Sequence, residues 1–138
     1  MASWSQAIIE EFHAKGGKGV GQFGNRLVLL TTTGARSGKA QTTPVMYHRD
    51  GERYVVVASK AGAPDNPAWY HNLKANPLAT VEVGTESGTE TFEVRAHEAQ
   101  GEERERIWAD RVAIAPGFGE YQRQTSRQIP VMLLERIG

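Results

Sequence analysis

The stretch Thr42-Thr-Pro-Val-Met-Tyr-His-Arg-Asp-Gly-Glu-Arg-Tyr-Val-Val-Val-Ala-Ser59 decides the fold. Asp50-Gly51 at its centre suits a two-residue type I′ turn, in which both central residues need positive φ and Asp and Gly tolerate it. The flanks are rich in Val, Tyr and Thr, so residues 42–49 and 52–59 are expected to pair as an antiparallel hairpin. Upstream, residues 26–33 read as a third strand, joined to the hairpin by the turn-rich Gly34-Ala-Arg-Ser-Gly-Lys39. Downstream, residues 78–83 and 89–96 alternate apolar and polar side chains around Glu86-Ser87-Gly88, and residues 129–135 form a last aliphatic strand.

Helices flank these strands. Ser3 and Gln6 make a capping-box pattern, and Trp4, Ile8 and Phe12 recur every four residues until Gly16 and Gly17. Asn66-Pro67 reads as an N-cap followed by proline at the first helical position, opening a short helix through Trp69, Tyr70 and Leu73 that ends near Asn76-Pro77. Residues 102–113 have helical periodicity through Ile107, Trp108 and Val112, broken by Pro116 and Gly117. Residues 60–65 read as a loop and the stretch to Tyr121 as a short connecting segment. Strands joined mostly as hairpins lack the βαβ rhythm of a doubly wound sheet. The expected architecture is α+β: one domain over residues 1–138, a small, mostly antiparallel β-barrel with flanking helices.

Composition narrows the function. The 138 residues include 39% apolar and 23% charged side chains, ordinary for a globular domain. Sixteen basic and sixteen acidic residues cancel, so no global field points to nucleic acid as a partner. With no cysteine there is no thiolate nucleophile or Cys-ligated metal. A basic-then-apolar leader and a long apolar run are both missing, and a cytoplasmic protein is expected.

Each motif has a bland reading beside its sharp one. Gly19-Val-Gly21-Gln-Phe-Gly24 spells the dinucleotide fingerprint, but that motif works after a strand and before a helix, whereas here a helix precedes and a strand follows. It reads as a flexible connector. The Gly34–Lys39 turn, with Arg36, Ser37 and Lys39, is either an anion nest or a solvated hairpin turn. Lys60 is a second candidate anion contact. His13, His48, His71 and His97 lack metal-binding spacing, so no metal is expected. No G-x-S-x-G elbow is present. Trp69 and Tyr70, beside Asn66 and Asn72, are either core or a platform for a flat ligand. Glu102, Glu103, Arg104, Glu105 and Arg106 read as a solvated helix face with internal ion pairs.

Four stretches in order, Leu29-Leu-Thr-Thr-Thr-Gly-Ala-Arg-Ser-Gly-Lys39, Thr43-Pro-Val-Met-Tyr47, Ala58-Ser-Lys-Ala-Gly62 and Asn66-Pro-Ala-Trp-Tyr-His-Asn-Leu-Lys-Ala-Asn-Pro77, resemble the deazaflavin-dependent nitroreductase family. The resemblance runs from about residue 26 to residue 130. It implies a split β-barrel related to the flavin-mononucleotide-binding and pyridoxamine-phosphate-oxidase-like barrels, with coenzyme F420 (an 8-hydroxy-5-deazaflavin) in a groove along the barrel. By that likeness Ala35, Arg36 and Ser37 and the strand Gln41, Thr42, Thr43, Pro44, Val45 and Met46 line one side of the cofactor. Val57, Ala58, Ser59 and Lys60 line another. Lys60 and Arg36 take its phosphate or oligoglutamate, with Ala68, Trp69, Tyr70, His71 and Asn72 near the same anionic end.

The implied chemistry is hydride transfer from the reduced deazaflavin to a small, largely apolar acceptor. Ser59 and Tyr121 are the candidates for orienting or protonating that acceptor. Nitroimidazole-reducing members resemble this chain in the C-terminal lid but carry tyrosines where Ala115 and Phe118 stand here, which favours a quinone or similar flat acceptor. A non-catalytic F420 carrier and a flavin mononucleotide enzyme are the alternatives. The Trp4, Ile8, Phe12 stripe packs on the barrel or a second subunit, as in a homodimer, or touches the inner face of the cell membrane as a peripheral contact.

Overall fold

The structure, a computed structural model, describes residues 4–137, apart from the side chains of residues 4, 22 and 61. Six strands close into a barrel: β1 Leu27–Thr33, β2 Ala40–Asp50, β3 Arg53–Val57, β4 Leu78–Thr85, β5 Gly88–Glu98 and β6 Val131–Arg136. The order around the barrel is β1-β2-β3-β6-β5-β4, with β4 back against β1, and every pairing is antiparallel. This is the α+β split-barrel architecture expected. The decisive hairpin forms, with His48 opposite Val55, but its turn is not the type I′ turn expected at Asp50-Gly51: Asp50 closes β2 opposite Arg53, the loop is Gly51-Glu52, and of these residues Gly51 alone takes positive φ, +62°. Its second strand stops at Val57, so Ser59 lies beyond the strand, in a 3-10 turn over Lys60–Gly62.

Four helices cover the barrel: α1 Trp4–Ala14, α2 Ala68–Ala75, α3 Gly101–Ile114 and α4 Gly117–Arg123. Side chains alternate across a strand, and in β1, β3 and β6 both faces are buried because a helix covers the outer one. Val28, Leu30, Val56, Met132 and Leu134 point inward, where Leu73 and Trp69 of α2 join them. Val55, Val57, Val131 and Leu133 point outward onto Ile107 of α3 and Phe118 of α4. Leu27 and Leu29 point outward onto Phe12 of α1 and Val20. Strand β5 has no such cover, and its Phe92, Val94 and Ala96 alternate with exposed neighbours.

Two residues of the opening stripe pack on the barrel, Phe12 fully buried and Ile8 partly so, while the Trp4 side chain and the Ser3 half of the capping box lie outside what the structure describes. Gly17, at φ +77°, brings the chain after α1 against β4, where an added Cβ would lie 2.7 Å from the Gly84 Cα. The glycine-rich run is a connector, as its context indicated, but an organised one. A 3-10 turn spans Gly21–Phe23, the Gly21 N–H donates to Glu11 Oε2 of α1 at 2.6 Å, and the Gly19 N–H donates to Asn25 Oδ1 at 2.8 Å.

Three further expectations are corrected. Pro67 in extended conformation caps α2, because the Asn66 side-chain oxygen, Oδ1, is taken by the Arg127 Nη1 at 2.7 Å. The segment through Tyr121 is a helix, α4, held by Phe118, which is buried among Val57, Val131 and Ile107. The charged face of α3 is not wholly solvated. Arg104 is buried, donating to the Ile129 carbonyl at 2.7 Å, and Glu103 and Arg106 reach Arg53 and Asp50 of the β2–β3 hairpin. No helix among the described residues is long and apolar enough to cross a membrane.

Candidate functional site

Two adjoining hollows lie along β2 and the first turn of α2. The polar one, about 540 Å³, is lined by Gly34, Ala35, Arg36, Ser37, Gln41, Ala68, His71 and Asn72. The other, about 320 Å³, is lined by Pro44, Val45 and Met46 of β2, Val57 at the end of β3, Ser59, Lys60, Pro67, and the aromatic side chains of Phe23, Trp69, Phe118 and Tyr121. Neighbouring residues divide between them: Pro67 and Trp69 face the apolar hollow, Ala68 the polar one. Trp69 is buried in the barrel core, the first of its two readings, and also lines the apolar hollow.

Asn72 fixes the polar hollow. It is buried on α2, and its Nδ2 donates to Thr32 Oγ1 and Gln41 Oε1, both at 3.0 Å, while its Oδ1 accepts the Ala35 N–H at 3.0 Å. Both amide hydrogens are thus committed to tying α2 to β1, β2 and the turn between them. The turn itself is mostly closed as an anion nest. Gly34 N–H donates to the Lys39 carbonyl and Gly38 N–H to the Gly34 carbonyl, and Lys39 N–H donates to Ser37 Oγ at 3.1 Å. The side chains of Arg36, Ser37 and Lys39 are the exposed polar groups that the turn presents to solvent.

Lys60 stands on the wall of the apolar hollow, apart from Arg36, with its backbone at φ +46°. Its ammonium lies 3.1 Å from the exposed Asp65 carboxylate, and this hydrogen bond holds the Asp65 pKa below the usual carboxylate range. Ser59 and Tyr121 share that hollow, and Tyr121 sits edge-on to Phe118 with ring centroids 5.4 Å apart. His71 packs edge-on to Tyr70 at 5.5 Å.

Four of the residues expected around the cofactor line neither hollow. Thr42 Oγ1 meets Thr31 Oγ1 at 2.7 Å, Thr43 pairs with Leu30 in the sheet, and Ala58 is fully buried in the barrel. Tyr70 turns away to donate its hydroxyl to Glu98 at 2.8 Å, and burial, then that carboxylate, push the phenol pKa up to about 12. Conversely, Phe23, Gly34, Pro67 and Phe118 line the hollows without having been assigned there. A phenylalanine inside a glycine run is the signal that marks Phe23, since a mere flexible connector needs no large apolar side chain.

The sequence pattern of the F420H(2)-dependent quinone reductase family matches residues 4–136. The chain is 40% identical over 124 residues to an F420H(2)-dependent quinone reductase of Mycobacterium tuberculosis, covering 84% of this chain and 81% of the relative. Among solved structures it is similar to an F420-H2 dependent reductase, FDR-A, at 44% identity and a TM-score of 0.70, covering 80% of this chain and 94% of that one. A second, described as a domain-swapped dimer, is 41% identical with a TM-score of 0.73, covering 92% and 91%. A match over nearly the whole chain, on a barrel whose apolar hollow adjoins a polar one, establishes that the chain belongs to the F420H2-dependent quinone reductase family of oxidoreductases.

Proposed function

We propose that this chain passes hydride from reduced coenzyme F420 to a flat, apolar acceptor of the quinone class, with residues 1–138 acting as one deazaflavin-binding domain. The observation that carries this reading is the meeting of two unlike hollows along one strand and one helix turn. The donor set fits the cofactor. A flat ring calls for an apolar slot with aromatic edges, which Val45, Met46, Val57, Phe23, Trp69 and Phe118 provide. An anionic chain calls for cations and hydroxyls, which Arg36, Ser37 and Lys39 provide at the adjoining turn.

When bound, the deazaflavin supplies the hydride-donating carbon. The protein residues hold and exclude. Arg36 presents a planar fork suited to phosphate or carboxylate, and Lys60 offers a point charge once released by Asp65. The apolar lining keeps water from the reacting atoms, which strengthens each remaining electrostatic contact. A quinone that gains hydride also needs a proton at oxygen, and Ser59 Oγ and Tyr121 Oη are the hydroxyls among the residues lining the apolar hollow. Phe118 places a ring without a hydroxyl there, in keeping with an apolar acceptor, whereas Ala115, at the end of α3, packs against the cluster of Val55, Val57 and Ile107 and lines neither hollow.

Fluorescence-polarisation titration of coenzyme F420, run beside flavin mononucleotide, tests the cofactor, and oxidation of the reduced cofactor on adding menadione tests the reaction. Saturable binding of the deazaflavin alone, followed by turnover, is expected. Preference for flavin mononucleotide would move the protein to the flavin enzymes, binding without turnover across quinones and nitroaromatics would leave a carrier, and binding of neither would end the proposal. Tyr121→Phe should keep cofactor affinity and lower kcat if the phenol donates the proton, and equal rates would reduce Tyr121 to packing.

The chain also pairs as a homodimer in this reading, supported by the 41% identical structure described as domain-swapped. Light scattering on the eluted protein should give twice the monomer mass.

A further inference from the structure

Arg127 lies in the connection between α4 and β6 and lines neither hollow of the site. Its guanidinium gathers four acceptors from one short segment. Nε donates to the Ala63 carbonyl at 2.9 Å, Nη1 to the Ala58 carbonyl at 3.1 Å and to Asn66 Oδ1 at 2.7 Å, and Nη2 to the Ser59 carbonyl at 2.8 Å. All four belong to residues 58–66, the stretch that leaves β3 and enters α2. It carries Ser59 and Lys60 into the apolar hollow and delivers Pro67 and Trp69 there.

This segment has reason to need a clamp. It lies beyond the last residue of β3, and its one bond of barrel-ladder kind is at its first residue, where the Ala58 N–H donates to the Pro130 carbonyl at 2.9 Å. Lys60 holds φ +46°, a conformation that costs a non-glycine residue energy and persists only where the surroundings impose it. On its other side the segment is pressed against α4. Gly62, at φ +81°, sits so close that an added Cβ would lie 2.8 Å from Gln124 Oε1 and 2.9 Å from the Tyr121 carbonyl. Arg127 is fixed in turn, since its own carbonyl accepts from Gln122 Nε2 at 2.7 Å and the nearby Ile129 N–H donates to Gln122 Oε1 at 3.0 Å. A planar cation with five N–H groups in set directions can satisfy three carbonyls and an amide oxygen at once, whereas an ammonium offers three donors from a single point.

We infer that Arg127 is a positioning residue that sets the shape of residues 58–66, and so determines cofactor affinity, while taking no part in the chemistry at the acceptor. The segment and α4, which carries Phe118 and Tyr121, are held as one body around the apolar hollow. This inference rests on the reading of that hollow as the deazaflavin site.

Arg127→Lys keeps the charge and most of the stem but loses the fork, and Arg127→Ala loses both. Each is compared with the wild-type chain by polarisation titration of coenzyme F420, by hydrogen exchange of residues 58–66, and by the separate KM values for reduced cofactor and for menadione. Both variants should bind the cofactor more weakly, on the order of tenfold or more, as follows when one or more charge-assisted contacts no longer orient the site. Exchange should quicken in residues 58–66 while the six strands keep their protection. The KM for reduced cofactor should rise, and the KM for menadione at saturating cofactor should stay within about twofold. Should Arg127→Ala fail to fold, Asn66→Ala removes one of the four acceptors and should give a smaller loss in the same direction.

Arg127→Lys with wild-type affinity and exchange would overturn the inference, as would a loss shared equally between the two KM values. Wild-type protein that binds no deazaflavin would instead sink the parent reading, and this one with it.

Discussion

Lys60 combines a left-handed backbone with an ammonium already engaged by Asp65. Any anion that Lys60 receives must compete with that carboxylate. Asp65→Asn should therefore tighten cofactor binding by up to a few-fold, as suits the loss of an exposed competing pair, while Lys60→Ala should weaken it by about 1.5–3 kcal/mol. Polarisation titrations of the two variants decide the matter, and unchanged affinity in both would remove Lys60 from the site. Asn72 lines the polar hollow and also ties elements together. Its amide joins α2 to Thr32, Gln41 and Ala35, so Asn72→Ala should cost roughly 1–3 kcal/mol of stability in urea unfolding, as three hydrogen bonds are lost and the buried Thr32 hydroxyl is left without this partner. Arg36 and Ser37 stood out by residue type in a turn, whereas Gln41 and Met46 were placed only by the likeness to the deazaflavin-dependent family; all four line the two hollows. Arg127 was not legible, since its partners are three backbone carbonyls and the Asn66 side-chain oxygen, all distant in sequence, and no local pattern announces such a contact.

Elements were legible where local chemistry and tertiary packing agree. Asp50-Gly51 marked the right hairpin, although the loop is Gly51-Glu52 and Asp50 belongs to β2, and the alternation in β4 and β5 gave a second pair. Helix α4 escaped notice because Gly117 and Gly119 are poor helix formers; what holds it is Phe118 buried against β3 and β6, a contact that local propensity does not encode. Packing of α1 on the barrel likewise depends on a place where two backbones nearly touch. Gly17→Ala would put a Cβ 2.7 Å from the Gly84 Cα at φ +77°, and no flexible side chain is available to yield. It should destabilise the fold by about 2–4 kcal/mol, combining left-handed strain with overpacking. Thermal unfolding measures the loss, and a wild-type Tm in the Ala variant would mean that α1 contributes little to the barrel.

The whole molecule responds to acid through a residue far from any hollow. His48 on β2 is buried with both ring nitrogens lacking a partner. Burial, and next the Arg111 cation, lower its pKa to about 4, against weaker opposing pulls from Asp110 and Asp50. Arg111 is itself fully buried, donates to the Val55 carbonyl at 3.2 Å and stacks on Phe118, and burial lowers its pKa to about 10. A folded histidine that resists protonation favours folding above the unfolded-state pKa of 6.5, and that advantage fades as pH falls from 6.5 to 4. The loss should reach about 3 kcal/mol by pH 4. Asp50 stays ionised through this window because Arg106 and then Arg53 hold its carboxyl well below the usual range. Urea unfolding at pH 7, 5.5 and 4 should show the decline, and His48→Gln should flatten it; a parallel decline in the variant would assign the acid sensitivity elsewhere. The barrel order has a consequence for how the chain is made. Strand β6 fills the gap between β3 and β5, so during synthesis both neighbours wait with open hydrogen-bonding edges until the last of the six strands has emerged. Closure waits on β6, and a product stalled or clipped before Val131 would carry two adhesive edges into the cell, marking it for chaperones and proteases.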